Sequence, residues 1–452
     1  MLGVIKMKIA KDYGFLSEND GISNAKALQA AVSGGGEIYV SIPGIYRLAD
    51  QIVLGDNTKL TFCEGSYIKR ERGCGESGYV FINEGAYTKS YNKNITVAGL
   101  NLICNGVTSD GYYEASKKVI LGLKGHLSFF YVDNLTIMDF KCLDLPAKDF
   151  CIQICTFRNA YVENVHIEGM KDAVHFGRGS NFVVKHGCFK TFDDPIALNA
   201  HDYVTSNPEL GWIENGLIED CYDLNDDATT GYFCRILAGS WCAWYEGMEL
   251  QRSDTVVSDG RLYRVSMPPD GRVYKSYSKP THKLGDKEYD GFVWSVVQDG
   301  ELYNCGCRNI TFKDIYLRKN RPVAFSIHFD KDAYSRSYYP MSVAPVQEDI
   351  SFDNVIVEAD NIPFLLSSRT PVCNLSFTNC RLKNNKILFV NNGDLDYPII
   401  DLDLKSIDFS CDIEHFISCQ NGVKCNANLS KPSFNSNSIT FGNNVEVDLA
   451  NN

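Results

Sequence analysis

The sequence predicts a right-handed parallel β-helix, an all-β fold, with a short N-terminal capping helix and an inserted small β module. From Asn94 onward, the chain repeats one pattern, in which an Asn, Asp or Gly turn precedes alternating apolar residues. The closest repeats, at Asn159 and Asn181, start 22 residues apart. This length suits a coil of three short strands. Asn-Gly and Asp-Gly pairs are not spaced as the hairpins of a β-sandwich require.

The repeats begin at turn residues, and a short helix precedes them. We expect the helix over Asn24 to Val32, a strand over Glu37 to Val40, and a break between them at the glycines 34–36. The later repeats start at Asn94, Asn134, Asn159, Asn181, Asn215, Asn309, Asp349 and Asn374. Those at Asn94, Asn134, Asn309 and Asn374 also match Asn-x-Ser/Thr. Their regular place favours turn chemistry over glycosylation.

One segment interrupts the repeats. Residues 244–298 are richer in Tyr, Trp, Gly and Lys than the flanking rungs. We therefore predict a β-helix domain formed by residues 1–243 and 299–452, with a small β module at 244–298. Trp244, Tyr263 and Trp294 are able to stack on sugar rings, but filling the module's own small core is the favoured role.

Composition narrows the class of partner. The chain has 452 residues, 44% of them hydrophobic, so it is able to bury a large core. A net charge of −12 disfavours nucleic acid and anionic membrane surfaces, because both require a cationic footprint. The chain contains no apolar run long enough to cross a membrane, and Met1 to Ala10 is too short for a cleavable leader. These observations predict a soluble protein that binds neither nucleic acid nor membrane.

The cysteines indicate a reducing environment. Seventeen cysteines without a leader suggest free thiols, and we expect a cytoplasmic protein, with a phage or prophage virion as the alternative. Several cysteines close short strand-like runs, where a small side chain is able to stack inside the repeat: Cys104, Cys142, Cys188, Cys221 and Cys380. Cys305-Gly-Cys307 is a weak metal signal, since His282 and His328 lack ligand spacing. We predict no metal and no cofactor.

Three aspartates form the candidate catalytic cluster. Asp172 and Asp193 are 21 residues apart, about one rung, so they are expected on adjacent rungs of one face with Asp194 beside them. Carboxylates at such distances raise at least one pKa, which allows one group to act as an acid and another as a base. The alternative is that each aspartate caps a turn. The spacing, close to one rung, favours catalysis.

Around these residues the chain resembles glycoside hydrolase family 28, the polygalacturonase-like enzymes of the pectin-lyase-like superfamily. The family motif Asn-Thr-Asp-Gly corresponds to Lys171-Asp172-Ala173, and Asp-Asp-Cys-Ile-Ala corresponds to residues 193–197, DDPIA. The family's Gly-His-Gly motif is not evident in this chain. Of its Arg-Ile-Lys motif, only the first two residues are matched, by Arg235 and Ile236. The resemblance implies a glycosidase, expected to invert, in which Asp194 is the general acid and Asp172 with Asp193 activates water.

Five further residues are candidate substrate ligands. His175 either orients a carboxylate, donates to a sugar hydroxyl or is a satisfied buried histidine. Arg178 is either a substrate contact or a solvated turn residue, and Asp202 is either a fourth site carboxylate or a partner within its loop. Arg235 and Arg178 are the candidates to neutralise a uronate carboxylate. His201 completes the set, next to Asp202.

Two other functions compete with the glycosidase. A polysaccharide lyase needs a base, commonly with Ca²⁺ and a Lys or Arg, and no such base stands out in the sequence. A non-catalytic, glycan-binding phage tail or adhesin fits the inserted segment, which resembles small modules of tail fibres. Carbohydrate is the partner in each case. The chain is expected as a monomer or homo-oligomer, and as a trimer if it is a tail fibre.

Overall fold

The computed structural model describes residues 7–73, 78–108, 118–224, 230–267, 270–318, 320–332, 335–359, 364–368 and 370–382, and beyond them the strands at 387–391, 399–410, 415–419, 424–429 and 445–449. These strands form a parallel β-helix, which confirms the predicted fold class. In the described part of the chain, no helix is long and apolar enough to cross a membrane.

The strands follow one another along the chain as rungs. The N-terminal rungs contain β1 Lys8–Ile9, β2 Gly36–Val40, β3 Gly44–Leu48, β4 Ile52–Leu54, β5 Thr58–Phe62, β6 Ser66–Arg70, β7 Phe81–Asn83, β8 Asn92–Ala98 and β9 Asn101–Ile103. The central rungs contain β10 Gly125–Leu145, β11 Phe150–Gly169, β12 Val174–Phe176, β13 Gly179–Thr191, β14 Ile196–Asn199, β15 Ile213–Asp223 and β16 Cys234–Leu237.

An inserted group of strands separates these rungs from the C-terminal ones. It contains β17 Gly239–Ser240, β18 Cys242–Ala243, β19 Met248–Leu250, β20 Thr255–Ser258, β21 Arg261–Val265, β22 Tyr274–Ser276, β23 Asp286–Tyr289, β24 Phe292–Asp299 and β25 Asn304–Cys305. The C-terminal rungs contain β26 Cys307–Leu317, β27 Phe325–His328, β28 Gln347–Val357, β29 Leu365–Ser368, β30 Val372–Leu382, β31 Ile387–Asn391, β32 Ile399–Ser410, β33 His415–Cys419, β34 Lys424–Leu429 and β35 Val445–Leu449.

A helix closes the N-terminal end of the core. α1 covers Gly21–Val32 and buries Leu28 and Val32 in the same core as the first rungs. It begins three residues before the predicted start at Asn24, because the Asp20 carboxylate accepts a hydrogen bond from the Ser23 amide (2.7 Å) and caps the first turn. A 3₁₀ helix at Ala10–Tyr13 and a short helix α2 at Gly85–Thr88 are the other described helices.

Several steps between successive rungs are 22 residues long, both in the N-terminal and in the central part of the β-helix. Val162 of β11 pairs with Val184 of β13, and Val174 of β12 pairs with Ile196 of β14, so both steps are 22 residues. The step from β15 to β26 is much longer, because the inserted strands leave and rejoin the β-helix there. The predicted rung length is therefore correct where no loop intervenes.

The asparagines at the predicted rung starts form a ladder along one edge. All eight predicted start residues have positive φ, a conformation that Asn and Asp tolerate better than other side chains. The side-chain amide of Asn181 donates to Asn159, and the amides of Asn215 and Asn309 donate to the asparagine one rung before them (2.7 to 3.2 Å). Asn94, Asn134 and Asn374 make equivalent bonds, which agrees with the predicted turn role.

Aromatic stacks fill the interior of the C-terminal rungs. The Phe352 ring stacks between Phe312 and Phe377, with centroid distances of 5.0 and 4.9 Å. Phe325 and Phe364 pack edge-on against Phe352, at 4.8 and 5.2 Å. Equivalent positions of successive rungs point inwards, so one residue type repeated at the rung step builds a continuous core.

The inserted strands form small sheets outside the β-helix. Strands β18, β20, β21, β24 and β23 make one sheet, and β19 pairs with β22. The predicted segment 244–298 lies within the span of these strands, which runs from 239 to 305. Tyr263 and Trp294 are fully buried in its core, and Trp244 donates from Nε1 to Ser276 Oγ (2.8 Å). The favoured role of these aromatics in the core is confirmed for Tyr263 and Trp294.

Removing one ring from the stack is expected to destabilise the β-helix. Phe352→Ala should lower the free energy of unfolding by about 3–5 kcal/mol, because the cavity is enclosed by four rings that are fixed by their own rungs. Denaturant unfolding followed by circular dichroism measures this change. Leu284→Ala, at a side chain 87% exposed, is the control and should change stability by less than about 0.5 kcal/mol. Equal effects of the two substitutions would contradict the assigned core.

Candidate active site

Two turns that precede neighbouring strands bring the aspartates together. Asp172 lies just before β12 and Asp194 just before β14. The amide of Ala173 donates to the carbonyl of Asp194 (3.0 Å), so the two turns stack directly. Carboxyl oxygens of Asp172, Asp193 and Asp194 lie within 4.8 Å of one another. The predicted convergence is present, but the rung partner of Asp172 is Asp194 and not Asp193, because the step here is 22 residues and not 21.

Residues from later rungs hold the Asp193–Asp194 turn in place. A Cβ on Gly231 would stand 2.6 Å from the carbonyl carbon of Asp193, so only glycine allows this close approach. The amide of Tyr232 then donates to Asp194 Oδ1 (2.7 Å). Arg321 is buried and donates to the carbonyl of Asp193 (3.1 Å). The backbone of the turn is thus fixed from two sides.

Lys171 supplies a cation that the sequence analysis missed. Its ammonium group hydrogen-bonds to Asp193 Oδ2 and lies 4.0 Å from Asp172 Oδ1. Lys171 precedes Asp193 by 22 residues, which is the rung step, so the register itself pairs the two side chains. That spacing is the signal that could have identified the lysine from the sequence.

The two stacked aspartates have opposite pKa shifts. Burial pushes the pKa of Asp172 upwards, but the cation of Lys171 and the hydrogen bond from His175 outweigh it and lower the pKa to about 2. Burial raises the pKa of Asp194 well above its usual value, and the charges of Asp193 and Asp172 raise it further. The pH range in which Asp172 is ionised while Asp194 keeps its proton is therefore wider than for two isolated aspartates.

His175 links Asp172 to the loop that covers β12. Its Nδ1 lies 3.0 Å from Asp172 Oδ2, and its Nε2 lies 3.0 Å from Asn207 Oδ1. The Asn207 amide is oriented by a bond from Nδ2 to the carbonyl of Asn199 (2.5 Å). The ring also stacks on Phe150, with centroids 4.1 Å apart. His175 is therefore a buried histidine that orients the carboxylate of Asp172.

The inserted module supports this loop. Arg264 of β21 is buried and donates to the carbonyls of Asp202 (3.1 Å) and Asn207 (2.6 Å). Gln298 of β24 accepts a hydrogen bond from the Leu210 amide (2.9 Å). Asn207 and Arg264 were missed by the sequence analysis, because neither lies in a motif nor at the rung spacing.

Asp202 and His201 lie inside the same covered region. Asp202 is buried and accepts hydrogen bonds from Asn199 Nδ2 and from the Tyr203 amide, both at 2.7 Å, which matches the role of a partner within its loop. Burial and the positive charge of Arg264 lower the pKa of His201 to about 3, so its imidazole is neutral. Its Nε2 lies 3.4 Å from Thr255 Oγ1 of the module.

The two predicted arginines lie in different places. Arg235 Nη2 is 2.6 Å from Asp330 Oδ2, and Arg235 is close enough to Asp194 to oppose the rise of that carboxyl's pKa. Arg178 Nη1 lies 3.5 Å from Glu209 Oε2 and lines a separate groove of about 380 Å³ with Trp212. The structure thus brings Arg235 to the aspartates and places Arg178 elsewhere.

The three aspartates were also considered as ligands of a metal ion. Three carboxyl oxygens within 4.8 Å are a possible ligand group for a metal ion. Ca²⁺ takes six to eight oxygen ligands, and the ammonium of Lys171 is already bonded to Asp193. The ammonium of Lys171 therefore already supplies the positive charge that a metal ion would otherwise bring to these carboxylates.

Comparison with known proteins gives the fold alone. No model of a protein family matches the chain, and no curated protein matches it. Gene product 12 of bacteriophage phi29, in its pre-mature form, is similar over 97% of this chain, with 12% identity and a TM-score of 0.51. This chain covers 55% of that phage protein, about half of its length.

Two carbohydrate-active enzymes are more distant neighbours. The A-module of the Azotobacter vinelandii mannuronan C-5 epimerase AlgE4 matches 98% of this chain and 98% of its own, with 11% identity and a TM-score of 0.45. A family 28 exopolygalacturonase of Yersinia enterocolitica covers 87% of this chain and 79% of its own, with 12% identity and a TM-score of 0.39. PfbA, a surface adhesin of Streptococcus pneumoniae, matches 91% of this chain and 93% of its own, with 14% identity and a TM-score of 0.46.

The opposite pKa shifts predict opposite pH dependences of stability. Asp194 has a raised pKa in the folded state, so its ionisation destabilises the fold as pH rises above about 4, the usual value for aspartate. Asp194→Asn should therefore gain stability relative to wild type over that range. Asp172→Asn should lose stability near neutral pH, because the folded pKa of about 2 makes ionised Asp172 stabilising.

Urea unfolding of both variants at a series of pH values measures these differences. The deficit of Asp172→Asn should shrink as pH falls through about 4 towards 2, while the gain of Asp194→Asn should vanish there. Parallel pH profiles for the two variants would contradict the assigned protonation states.

Proposed function

We propose that this chain is a glycoside hydrolase that uses Asp194 as the general acid and Asp172, assisted by Asp193, as the general base. The convergence of Asp172, Asp193 and Asp194 within 4.8 Å, together with the opposite pKa shifts of Asp172 and Asp194, carries the proposal. Glycoside hydrolysis needs one carboxylic acid and one carboxylate on either side of the scissile bond. The environment of this cluster shifts the two pKa values apart, which suits Asp194 to the role of acid and Asp172 to the role of base.

The chemistry follows from the protonation states. Asp194 donates its proton to the glycosidic oxygen as the bond to the anomeric carbon breaks. Asp172 takes a proton from the water as its oxygen bonds to the anomeric carbon. After the reaction Asp172 releases this proton and Asp194 regains one from solvent, so that both groups return to their starting states. Lys171 holds Asp193 beside the pair, and His175 holds Asp172 in its orientation.

The resemblance to glycoside hydrolase family 28 supports this proposal at the two aspartate motifs. The ligand is an oligosaccharide or polysaccharide, and Lys171 and Arg235 are the cations available to a sugar carboxylate at the cluster. The family's Gly-His-Gly and full Arg-Ile-Lys motifs are not evident in this chain. We therefore propose the reaction class and leave the sugar to be identified by experiment.

A polysaccharide lyase remains the second candidate, because Lys171 is a basic residue at the cluster. Burial lowers the pKa of Lys171, but the charges of Asp172 and Asp193 outweigh it and raise the pKa above its usual value. A lysine that stays protonated is unable to remove a proton next to a uronate carboxylate. The glycosidase is therefore favoured over the lyase. The third candidate, a glycan-binding fibre, differs from both enzymes in that it would bind glycan without cleaving it.

Substitution of the proposed acid should abolish hydrolysis. Asp194→Asn is expected to lower kcat/KM by about 10²–10⁴-fold, the usual contribution of general acid catalysis, because the amide has no proton to donate. The measurement is release of reducing ends from polygalacturonate, rhamnogalacturonan, galactan and host-type oligosaccharides, with EDTA present. Asp220→Asn, at a surface turn aspartate whose side chain is 37% exposed, is the matched control.

The outcomes of this assay separate the candidates. Cleavage by wild type and by Asp220→Asn, but not by Asp194→Asn, supports the glycosidase. An unsaturated product absorbing in the ultraviolet would indicate a lyase instead. Binding without cleavage, above all by a trimer, would favour a glycan-binding fibre.

The stereochemical course is a further prediction. Inverting enzymes separate their carboxyl groups by about 6.5–9.5 Å to admit a water, whereas retaining enzymes place them about 5–5.5 Å apart. The nearest carboxyl oxygens here lie within 4.8 Å of one another, which is shorter than the inverting separation, so the proposed inversion rests on the resemblance to family 28 and requires the cluster to open around the water. We expect the first product to have the inverted anomeric configuration, as read by proton NMR during turnover. A product of retained configuration would make Asp172 or Asp193 a nucleophile.

A further inference from the structure

A group of thiols occupies an interior corner of the β-helix, close to the Asp172 turn. Cys104 Sγ and Cys142 Sγ lie 3.5 Å apart, and both side chains are fully buried. Asp144 Oδ1 lies 4.0 Å from Cys142 Sγ. One ligand atom from each of these three residues lies within 4.8 Å of the others. Two thiols and a carboxylate therefore converge from two successive rungs.

A third buried thiol, that of Cys151, neighbours Cys142 without belonging to the three-residue ligand group. Cys151 is fully buried at the start of β11, and its amide donates to the carbonyl of Asp172 (2.9 Å). The thiols of Cys104 and Cys151 both hydrogen-bond to Cys142, which lowers the pKa of the Cys142 thiol. Cys142 is thus the central sulfur of the three.

Other buried thiols in the described part of the chain behave differently. Cys305 points its sulfur at the carbonyl of Ala200 (3.2 Å), and Cys307 points at the carbonyl of Leu198 (3.7 Å). A core cysteine usually acts as a small hydrophobe with a weak S–H donor, and these two match that description. Cys104 and Cys142 instead turn towards each other and towards a carboxylate. The Cys305-Gly-Cys307 signal noted in the sequence is therefore not part of a described ligand group.

The separations suit a tetrahedral metal–thiolate centre. With Zn–S bonds of about 2.3 Å, two sulfurs of such a centre lie about 3.8 Å apart. The observed 3.5 Å between Cys104 and Cys142 is close to this edge. The 4.0 Å from Cys142 to the Asp144 oxygen needs only a small closing movement, since Zn–O bonds are about 2.0–2.2 Å.

We propose that Cys104, Cys142 and Asp144 form a binding site for a thiophilic divalent cation of the Zn²⁺ class. The two thiols release their protons to solvent when the ion binds, because thiolates are the ligands. The Asp144 carboxylate is oriented in advance by the amides of Cys104 and Asn105, both at 2.8 Å. Asp144 is exposed, and so gives the ion a path from solvent to the buried sulfurs.

The proposed ion would link successive rungs. Cys104 follows β9, and Cys142 lies in β10, which pairs with β9. An ion held between two successive rungs contributes folding free energy. This site is independent of the proposed glycosidase, and its test needs no substrate.

The test is cadmium binding to the full chain, reduced and freed of metal with a chelator, then refolded with and without Cd²⁺. Cd²⁺ reports thiolate ligation through sulfur-to-metal charge-transfer absorbance in the ultraviolet. We expect this absorbance to saturate at one equivalent, to fall when Zn²⁺ competes, and to be lost in Cys142→Ala. Cys305→Ala removes an equally buried thiol outside the site and should keep the absorbance.

Each outcome decides the proposal. Absence of the band in wild type, its persistence in Cys142→Ala, or its equal loss in Cys305→Ala would overturn it. If Cys142→Ala does not fold, Asp144→Asn decides, since it retains every thiol: weaker cadmium binding supports the proposed ligand set, and unchanged binding overturns it.

Discussion

The hydrogen-bonded register between successive rungs is the constraint on which the rest of this molecule depends. A step of 22 residues places Val174 on Ile196 and the amide of Ala173 against the carbonyl of Asp194. The same step stacks Asp172 on Asp194 and Lys171 on Asp193. Backbone bonds that repeat along the whole β-helix are able to hold like charges together, whereas the carboxylates alone would repel one another.

Stacking two carboxyl groups in a buried turn costs electrostatic free energy. The surroundings stabilise the ionised form of Asp172 more than that of Asp194. Asp172 receives a hydrogen bond from His175 and the field of Lys171, so it remains ionised. Asp194 accepts a hydrogen bond from the amide of Tyr232, but this bond and the field of Arg235 do not offset its burial, so its pKa is raised. The proposed hydrolysis uses such a separation of the two pKa values.

The inserted module acts on this site through the loop that covers β12. Arg264 holds the carbonyl of Asn207, and Asn207 in turn holds the ring of His175. This chain of contacts joins the buried residues of the module, among them Tyr263 and Trp294, to the orientation of Asp172. The same covering loop explains why His175, on the outward side of its strand, is fully buried.

The sequence by itself determined the repeat, the asparagine turns, the inserted segment and the aspartates, because each is a local or periodic signal that the rung hydrogen bonds reproduce. The tertiary structure showed that Asp194 is the aspartate that stacks on Asp172, a pairing that the 22-residue spacing of Asn159 and Asn181 also indicates when it is applied to Asp172. It also brought Asn207, Gly231 and Arg264 to the site and took Arg178 to another groove. Those placements depend on loops of irregular length and on contacts between residues that are far apart in the sequence. Such contacts do not recur at a fixed spacing, so no periodic pattern in the sequence indicates them.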